Sequence, residues 1–384
     1  MAQQIVVVGA GIAGLATAVA LQRRGHHVSV VEARTDTASG AGISIWPNAL
    51  AALDHIGVGD AVRQAGGRIT GGAVRWRDGS WLRRPATERL VTALGEPLVV
   101  VQRSLLRNIL AAALTPGTVE YGIAVTAVAA TSDGVRIDFS DAPVRMAGAV
   151  VGADGTSSVV ARRLNGSLRD RYAGYTAWRG VAHCAMDPEL AGETLGPGIE
   201  VGHMPMGPDR TYWFATERSP EGRGSPDGEL SYLRQQLAGW PEPIPAVLAA
   251  TAPADVLRND LYDRRRARRW AHGPIVLVGD AAHPMRPHLG QGGCQALEDA
   301  VILAACVEGA ADLPTAFARF AAFRRPRVNR IVRESALIGR VVNVRPAFLS
   351  AAASYASALI PEPLVSRHLA SVAARAAFVL PGRR

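Results

Sequence analysis

The sequence has 384 residues, 48% of them hydrophobic, which is enough to bury one large core or two interlocked ones. All 42 basic residues are arginines, and they outnumber the 33 acidic residues to give a net charge of +9. Because the chain contains no lysine, and because a guanidinium does not lose its proton, Schiff-base chemistry and a lysine nucleophile are excluded.

The composition also bounds location and partners. No apolar run reaches the roughly 18 to 20 residues that span a bilayer, and the first strand pattern begins at Ile5 without a signal-peptide layout. The three cysteines lack the spacing of metal ligands. We therefore expect a cytoplasmic monomer or homodimer with no membrane span, no metal and no disulfide framework. The basic run 264–269 has no interleaved aromatics, which favours a solvated or phosphate-facing surface over nucleic acid.

The amino terminus predicts a strand, a glycine turn, a helix and a second strand. Apolar β-branched residues mark the strands at 5–8 and 28–31, and helical spacing runs from 15 to 24. This order is typical of the βαβ unit that binds a dinucleotide.

The glycine turn itself has the spacing of a dinucleotide fingerprint. Gly9 permits a tight bend, Gly11 lets the backbone approach a pyrophosphate, and Gly14 lets the helix pack closely on the strand. Ile12 and Ala13 complete the turn, where helix-terminal N–H groups face the phosphates. Glu32 ends the second strand eighteen residues after Gly14, where a carboxylate accepts hydrogen bonds from ribose hydroxyls. An acidic residue there favours an unphosphorylated ribose, so the pattern predicts FAD or NAD rather than NADP.

The rest of the chain continues to alternate strands and helices. Two further apolar strands, at 149–151 and 275–278, each run into a glycine turn. Between them, residues 172–214 are strand-like and rich in aromatics, which predicts an antiparallel insertion. The other predicted elements are a loop at 41–48, a helix at 49–56, alternating strands within 71–81, a strand at 98–101, a helix at 104–114, a strand at 135–139, a polar loop at 219–228, a helix at 294–307, and a helical tail with a basic stretch at 324–340.

The later turns carry a family resemblance. With Asp154-Gly155 and Gly279-Asp280 added to the first turn, the chain resembles class A flavoprotein monooxygenases, the aromatic hydroxylases that include salicylate, 6-hydroxynicotinate and urate hydroxylases. The segments 279–284 and 290–293 read much like that family's, and the resemblance covers nearly the whole chain. It implies an α/β fold: a Rossmann-like FAD-binding domain of the glutathione reductase type, with an inserted antiparallel-sheet substrate domain and C-terminal helices. The implied FAD-binding domain comprises 1–72, 98–171 and 271–343, the substrate domain 73–97 and 172–270, and the tail 344–384.

The resemblance also assigns cofactor residues. Asp280 is expected to bond the flavin's ribityl chain, while the backbone at Gly290, Gly292 and Gly293 and the helix behind it face the pyrimidine edge. A helix amino terminus carries roughly half a positive charge, which suits the anionic reduced flavin. Further cofactor contacts are expected from Arg103 at the ribose or pyrophosphate, from Arg34 over the adenine, and from Val125 and Asp154.

The motif around Asp154 departs from the family in one place. The family's arginine stands seven residues after the aspartate, where this chain has Ala161 followed by Arg162 and Arg163. One of these two arginines is the candidate substitute for a contact that serves flavin reduction by the nicotinamide.

The family's chemistry uses NADH or NADPH to reduce the flavin, after which O2 adds at flavin C4a to give a hydroperoxide that transfers one oxygen to an electron-rich aromatic substrate. His288 is the candidate base for the substrate hydroxyl, because imidazole titrates near neutrality; the alternative is an exposed loop histidine. His283 is expected to be structural. Candidate substrate contacts, for a small aromatic or polycyclic compound, are Arg179, Arg210, Tyr212, Pro287 and His288, with Trp213 either pocket or core.

Other activities share this cofactor fold. An epoxidase, or a reductase or oxidase acting on a prenyl chain, uses the same flavin site, whereas a flavin halogenase needs the lysine that this chain lacks. A non-catalytic flavin-binding or nucleic-acid-binding protein is the alternative from a different class. The substrate, and the choice between NADH and NADPH, stay open at this point.

Overall fold

The strands group into four sheets in the computed structural model, which describes residues 4–35, 41–342 and 347–382. They are β1 at Ile5–Val8, β2 at Val28–Glu32, β3 at Gly42–Ile45, β4 at Gly67–Ile69, β5 at Ala73–Trp76, β6 at Trp81–Arg83, β7 at Leu98–Gln102, β8 at Val119–Tyr121, β9 at Val125–Thr131, β10 at Gly134–Phe139, β11 at Arg145–Ala147, β12 at Ala149–Gly152, β13 at Asp170–Ala182, β14 at Gly192–Gly196, β15 at Ile199–Pro205, β16 at Thr211–Glu217, β17 at Leu257–Arg264, β18 at Ala271–His272 and β19 at Ile275–Leu277.

The helices cover the sheets and form the carboxyl-terminal part of the described chain. They are α1 at Ile12–Gln22, α2 at Pro47–His55, α3 at Gly59–Ala65, α4 at Thr87–Leu94, α5 at Arg103–Ala112, α6 at Val159–Asn165, α7 at Glu229–Gln236, α8 at Ile244–Ala249, α9 at Gly292–Glu308, α10 at Leu313–Val342, α11 at Ala347–Ala358 and α12 at Glu362–Ala373. None of the helices in these ranges is both long enough and apolar enough to cross a bilayer.

One sheet, which we call the dinucleotide sheet after the fingerprint predicted at its first turn, is mainly parallel. Its strand order is β18-β19-β12-β1-β2-β8, and every pair is parallel except β18 with β19. All four residues of β1 are buried, because they lie in a core that is formed both by helices and by the antiparallel strands β9, β10 and β11, and the strand therefore needs apolar side chains throughout. The carboxyl ends of β1, β12 and β19 meet at one edge, and each is followed by one of the three glycine turns.

A second, seven-stranded sheet runs in the order β17-β13-β16-β15-β14-β5-β6 and is antiparallel except where β14 pairs with β5. One face packs Trp178 and Trp213 against α7 and α8. The opposite face packs Tyr212 against Leu98 and Val100 of the small sheet β3-β7-β4. The second face, which carries Tyr212, is therefore the one turned towards the dinucleotide sheet, and we call it the dinucleotide-facing side.

The predicted fold is confirmed, with local corrections. The loop predicted at 41–48 is wrong, because residues Gly42–Ile45 form β3, whose hydrogen bonds come from β7 more than fifty residues later. Beyond the strand-like residues 172–214, the predicted substrate domain also contains helices α7 and α8 and ends with β17, none of which local periodicity had indicated. Arg210 was expected on a strand and lies in the turn before β16. The domain boundaries stay a prediction; β13 begins two residues before the boundary at 172.

Candidate active site

The first glycine turn has the geometry of a phosphate cradle. A Cβ on Gly9, whose φ is +104°, would lie 2.5 Å from the Ala153 carbonyl oxygen, and one on Gly14 would lie 1.8 Å from the Gly9 oxygen. A Cβ on Gly11 would meet no protein atom within 4 Å. Gly11 also precedes α1, whose first turn has no side-chain cap and no acidic residue. Open space in front of uncapped helix N–H groups fits a pyrophosphate.

Glu32 is held against this turn by the backbone. Its Oε2 accepts a hydrogen bond from the Ala10 N–H at 2.7 Å, and its Oε1 accepts one from the Arg34 N–H at 3.0 Å. Each carboxylate oxygen keeps a second lone pair for a ribose hydroxyl. The predicted ribose site is therefore oriented before any ligand arrives.

Asp154 organises its own loop. Its carboxylate accepts hydrogen bonds from the Ser158 hydroxyl at 2.6 Å and from the Val159 N–H at 2.7 Å, at the start of α6. Burial raises the pKa of Asp154, although these hydrogen bonds act against it. The two candidate substitutes for the missing arginine both donate hydrogen bonds to backbone carbonyls. Arg162 donates to Ser157 O at 2.7 Å, and Arg163 donates to Val128 O at 3.0 Å.

A different arginine, Arg264, joins the second and third glycine turns. Its guanidinium donates to Thr156 O and to Ala281 O, both at 2.7 Å, and the residue is 7% exposed. It thus connects the loop after β12 to the loop after β19. Sequence reasoning had grouped Arg264 with an exposed basic run, and the signal that distinguishes it is its place as the last residue of a strand.

Arg103 and Asp280 are close enough to interact electrostatically. Burial lowers the pKa of the Arg103 guanidinium while the Asp280 carboxylate acts to raise it, and Arg179 is near enough to lower it further. Arg103 nevertheless keeps exposed surface. The structure therefore brings Arg103, Asp280 and Arg179 together, although they come from different sheets.

The third glycine turn leads into α9 through close contacts. A Cβ on Gly293 would lie 2.6 Å from Ile43 Cδ1, and one on Gly290, with φ +59°, would lie 2.8 Å from Trp46 Nε1. The first turn of α9 has no side-chain cap and no acidic residue. Its N–H groups and positive dipole end are thus available to a ligand. The nitrogen Trp46 Nε1 is buried and has no hydrogen-bond partner among the described residues.

Behind the third turn lies a buried network that we call the α9 charge cluster, comprising Asn48, His283, Gln291, Gln295, Glu298, Asp299, Arg324 and Arg327. Asp299 accepts hydrogen bonds from the Gly279 N–H at 2.9 Å and from Arg324 Nε at 2.7 Å, and contacts His283 Nε2 at 2.6 Å. Burial alone would raise the pKa of Asp299, but the neighbouring His283 and Arg324 lower it. His283 is 3% exposed and lies in this cluster, as its predicted structural role requires.

His288 belongs to a second buried network, the carboxyl–histidine cluster, comprising Tyr175, Glu193, Glu200 and His288. The Tyr175 hydroxyl lies 2.8 Å from His288 Nε2, and Glu200 Oε2 lies 3.5 Å from Nδ1. The His288 side chain is 2% exposed, so the alternative of an exposed loop histidine is wrong. Both ring nitrogens face protein groups. Sequence reasoning missed Tyr175, Glu193 and Glu200.

The other predicted substrate residues occupy different environments. Tyr212 is 7% exposed on the dinucleotide-facing side of the sheet, and Arg179 lies close enough to lower its pKa against the raising effect of burial. Trp213 points the other way, into the core, where Nε1 donates to Thr251 Oγ1 at 2.9 Å. Arg210 pairs with Asp209 at 3.7 Å, and Pro287 is exposed.

Two cofactor expectations lie at the margins of the site. Val125 is half-buried at the start of β9, where it pairs with Phe139. Arg34 follows β2, and its N–H is used by Glu32. Across the parts of the chain that the structure describes, no group of three or more His, Cys, Asp or Glu side chains is arranged to hold a metal ion.

Comparison with known proteins agrees with this geometry. A family model described as FAD binding domain matches residues 2–335. Aurachin C monooxygenase/isomerase of Stigmatella aurantiaca is 37% identical over 347 residues, covering 90% of this chain and 91% of the relative. The 3-amino-4-hydroxybenzoate 2-monooxygenase of Streptomyces cremeus is 37% identical over 344 residues, 86% of each chain. The crystal structure of Klebsiella pneumoniae HpxO complexed with FAD and uric acid has a TM-score of 0.90 at 28% identity and covers 96% of both chains.

Proposed function

The chain belongs to the FAD binding domain family and is an FAD-dependent monooxygenase, and on that premise we propose that it consumes NADH or NADPH and O2 to hydroxylate an electron-rich aromatic or heteroaromatic compound. The named relatives act on aurachin C and on 3-amino-4-hydroxybenzoate, and the similar crystal structure contains uric acid. These ligands differ in size and charge. What they support for this chain is therefore a substrate class and not one compound.

The observation that carries the proposal is the meeting of two uncapped helix amino ends at one edge of the parallel sheet. Helix α1 follows β1, and α9 follows the turn after β19, so both begin beyond the carboxyl ends of neighbouring strands. A Cβ on Gly279 would lie 2.7 Å from Ala13 Cβ, which shows how closely the two turns approach. The amino end of α1 suits the pyrophosphate, and the amino end of α9 suits the negative charge of a reduced isoalloxazine.

The chain's own residues then have separable tasks. We assign the adenosine ribose to Glu32, the pyrophosphate to the turn at Gly11, and the ribityl and phosphate groups to Asp280 and Arg103. When bound, the flavin would accept the reducing electrons from the nicotinamide and would supply the transfer of one oxygen atom from O2 to the substrate. The protein orients the substrate, excludes water and removes the hydroxyl proton, with His288 acting within the carboxyl–histidine cluster.

The substrate is expected to lie over the dinucleotide-facing side of the seven-stranded sheet. This face carries aromatic and aliphatic side chains near the small sheet: Val181, Met204, Tyr212 and Phe214. Such a surface suits a flat ring, since aromatic side chains bury large areas with defined stacking geometry. Arg179, close to Tyr212, offers a positive charge to an anionic substituent or to the nicotinamide cofactor.

The proposed reaction is tested by a screen on the FAD-loaded enzyme. Phenols, hydroxyquinolines, aminohydroxybenzoates and urate are compared for acceleration of NADH and NADPH oxidation, and products are weighed after reaction under oxygen-18. We expect at least one phenolic compound to gain a single labelled oxygen atom. Products without label would sink the monooxygenase reaction in favour of a prenyl-chain reductase or oxidase, and a labelled oxirane would identify an epoxidase.

The cofactor site is tested separately by exchanging glycines for alanine. In Gly11→Ala the new methyl group meets no protein atom, so the fold is retained while FAD affinity falls at least about tenfold, or about 1.4 kcal/mol. Gly309→Ala at the end of α9, where the nearest atom is 3.5 Å away, is the matched control. Equal FAD dissociation constants for the two variants, measured by flavin fluorescence, would remove the pyrophosphate from this turn.

A further inference from the structure

Two carboxyl groups share one face of the seven-stranded sheet without a compensating arginine. In the β14–β15 hairpin, Glu200 pairs with Leu195 and Glu193 pairs with Gly202. Glu193 and Glu200 are therefore diagonal neighbours on one face, because side chains alternate between faces along a strand. Diagonal neighbours on one face are within reach of long side chains, and the charge of Glu200 acts on the Glu193 carboxyl. Among the described residues, no arginine forms an ion pair with either.

Two adjacent carboxylates cannot both stay ionised at low cost in such a place. Burial, followed by the neighbouring charge of Glu200, raises the pKa of Glu193 well above its ordinary value. Glu200 accepts a hydrogen bond from Thr216 Oγ1 at 3.2 Å and faces His288 Nδ1 at 3.5 Å. The arrangement favours a proton on Glu193.

The members of the cluster differ in their access to a ligand. As whole residues, Tyr175 is 1% and Glu200 4% exposed, whereas Glu193 and His288 are half-buried. The His288 side chain itself is only 2% exposed, so the surface that His288 keeps belongs to its backbone. Strand β14 is hydrogen-bonded on both edges, by β15 and by β5, so the surface that Glu193 keeps lies on the faces of the sheet. Glu193 is thus the member through which a bound substrate reaches the others.

We propose that Glu193 and Glu200 hold one proton between them and connect the substrate hydroxyl to His288, so that His288 acts as a proton store behind the carboxyl pair and not as the group in contact with the substrate. This inference rests on the proposed monooxygenase function, which supplies the substrate hydroxyl. The path of the proton is inferred from the geometry of the carboxyl–histidine cluster. Glu193 is then the catalytic residue, Glu200 and His288 accept the proton in turn behind it, and Tyr175 positions the His288 ring.

The proton balance of the step is simple. A phenol gives its proton to a Glu193 oxygen, the proton already on Glu193 passes to Glu200, and Glu200 passes one to His288 Nδ1. The net change is a phenolate and an imidazolium, with the carboxyl pair again holding one proton. The step requires the tautomer in which His288 Nε2–H donates to the Tyr175 oxygen, a contact of 2.8 Å that permits either direction.

The other charged groups near His288 are held in place by contacts of their own. Arg286 follows Met285 on the same loop, makes two hydrogen bonds to Asp263 at 2.9 and 2.5 Å, and lies 5.4 Å from the centre of the Tyr175 ring. Gly339 of α10 approaches so closely that a Cβ there would lie 2.6 Å from His288 Nε2. Arg286 is neutralised by Asp263, so its charge does not substitute for a cation at Glu200.

The test uses FAD-loaded enzyme and reads the carboxyl proton directly. Infrared spectra of wild type, Glu193→Gln and Glu200→Gln are compared across pH, in H2O and D2O, for the C=O stretch of a protonated carboxylic acid. We expect a band that persists at pH 7 in wild type and disappears in Glu193→Gln. In Glu200→Gln the band should titrate at least about one pH unit lower, because the neighbouring negative charge is gone.

Controls separate this inference from general damage. Glu189→Gln, at an exposed glutamate just before β14, should leave the band unchanged. His288→Asn should retain the band but flatten the acidic limb of the pH profile of hydroxylation for a substrate found in the screen. No difference at pH 7 between wild type and Glu193→Gln, or a band indifferent to Glu200→Gln, would overturn the shared proton. Anaerobic reduction of the flavin by NADH or NADPH tests the proposed function independently, since it does not involve the carboxyl pair.

Discussion

Two buried polar networks flank the turn at Gly290, and they differ in how their carboxyl groups are compensated. The α9 charge cluster places Glu298 and Asp299 against Arg324, with contacts of 2.5 and 2.7 Å. The carboxyl–histidine cluster places Glu193 and Glu200 against each other and against His288. Both are enclosed by protein, so the difference in charge balance decides what each can do.

Where arginines balance the buried carboxylates, the carboxylates keep their charges. Where no arginine does so, the two carboxyl groups share a proton. Burial alone would raise the pKa of Glu298, but Arg324 and Arg327 lower it below its ordinary value. The pKa of Glu193 moves in the opposite direction. An arginine cannot give up its proton, so the charges of the first cluster stay fixed beside the turn at Gly290. The second contains only groups that exchange protons.

The largest expected effect comes from breaking the compensated cluster. Arg324→Met leaves two buried carboxylates without their main partner, which should lower the free energy of unfolding by about 3 to 5 kcal/mol. The measurement is urea unfolding of the FAD-loaded protein at pH 7. Arg327→Met is the control, because the Arg327 side chain is 25% exposed and its loss is partly relieved by water. If Arg324→Met costs less than Arg327→Met, the α9 cluster does not depend on buried charge balance.

The pH dependence of stability should run in opposite directions for the two clusters. The folded-state pKa of Glu193 is raised, so its contribution to stability is complete below the ordinary value of 4.5 and is lost as pH rises. The folded-state pKa values of Glu298 and Asp299 are lowered, so their contribution is present at neutral pH and is lost as pH falls.

The variant Glu193→Gln tests the loss of stability with rising pH that Glu193 is expected to cause. Relative to wild type, the variant should gain up to about 1.4 kcal/mol per pH unit above pH 4.5, because glutamine has no proton to lose. The measurement is the difference in free energy of unfolding between pH 5 and pH 8. A difference that stays constant with pH would show that Glu193 titrates normally.

Removing the hydroxyl that faces His288 should have a smaller effect. Tyr175→Phe deletes the 2.8 Å contact with Nε2 and should lower stability by about 0.5 to 1.5 kcal/mol. Tyr262→Phe is the matched control on the neighbouring strand β17, since its hydroxyl bonds Glu221 at the surface and should cost almost nothing. Equal effects in thermal unfolding would mean that the Tyr175 hydroxyl makes no specific contribution.

The smallest effect is expected from an ion pair that is exposed on both sides. Arg84 and Glu189 are 2.7 Å apart, but their side chains are 55% and 73% exposed. Arg84→Ala should change the free energy of unfolding by less than about 0.5 kcal/mol, because water screens the pair. A loss comparable to that of Arg324→Met would contradict the claim that burial gives the α9 cluster its weight.

Much of the cofactor site was predictable because its requirements are local. Gly9 and Gly14 are needed wherever a strand turns directly into a helix, since a Cβ at either position would overlap backbone atoms. Glu32 is fixed by its distance along the chain from that turn. The apolar strands at 5–8 and 275–278 predict burial on both faces. The structure confirms the bounds of both strands within a residue.

Other parts of the site have signals that are weak in the sequence. Gly42–Ile45 is too short to show alternation and becomes a strand only because β7 supplies its hydrogen bonds. Arg264 resembles its exposed neighbours until folding brings two distant carbonyl oxygens within 2.7 Å of its guanidinium. The Pro197-Gly198 pair between two alternating segments is the one signal that predicts the β14–β15 hairpin, and thus the pairing of Glu193 with Glu200.

By itself, then, the sequence determined the dinucleotide sheet and its three glycine turns, because each depends on backbone geometry within a few residues, whereas FAD rather than NAD was implied by the family resemblance at Asp154-Gly155 and Gly279-Asp280. Only the tertiary structure decided which side of His288 is enclosed, which arginine joins the second and third turns, and which carboxyl groups meet. The physical reason is strand register: a shift of one residue in β14 would turn Glu193 to the opposite face and separate it from Glu200. Such a register is set by partners far away in the chain.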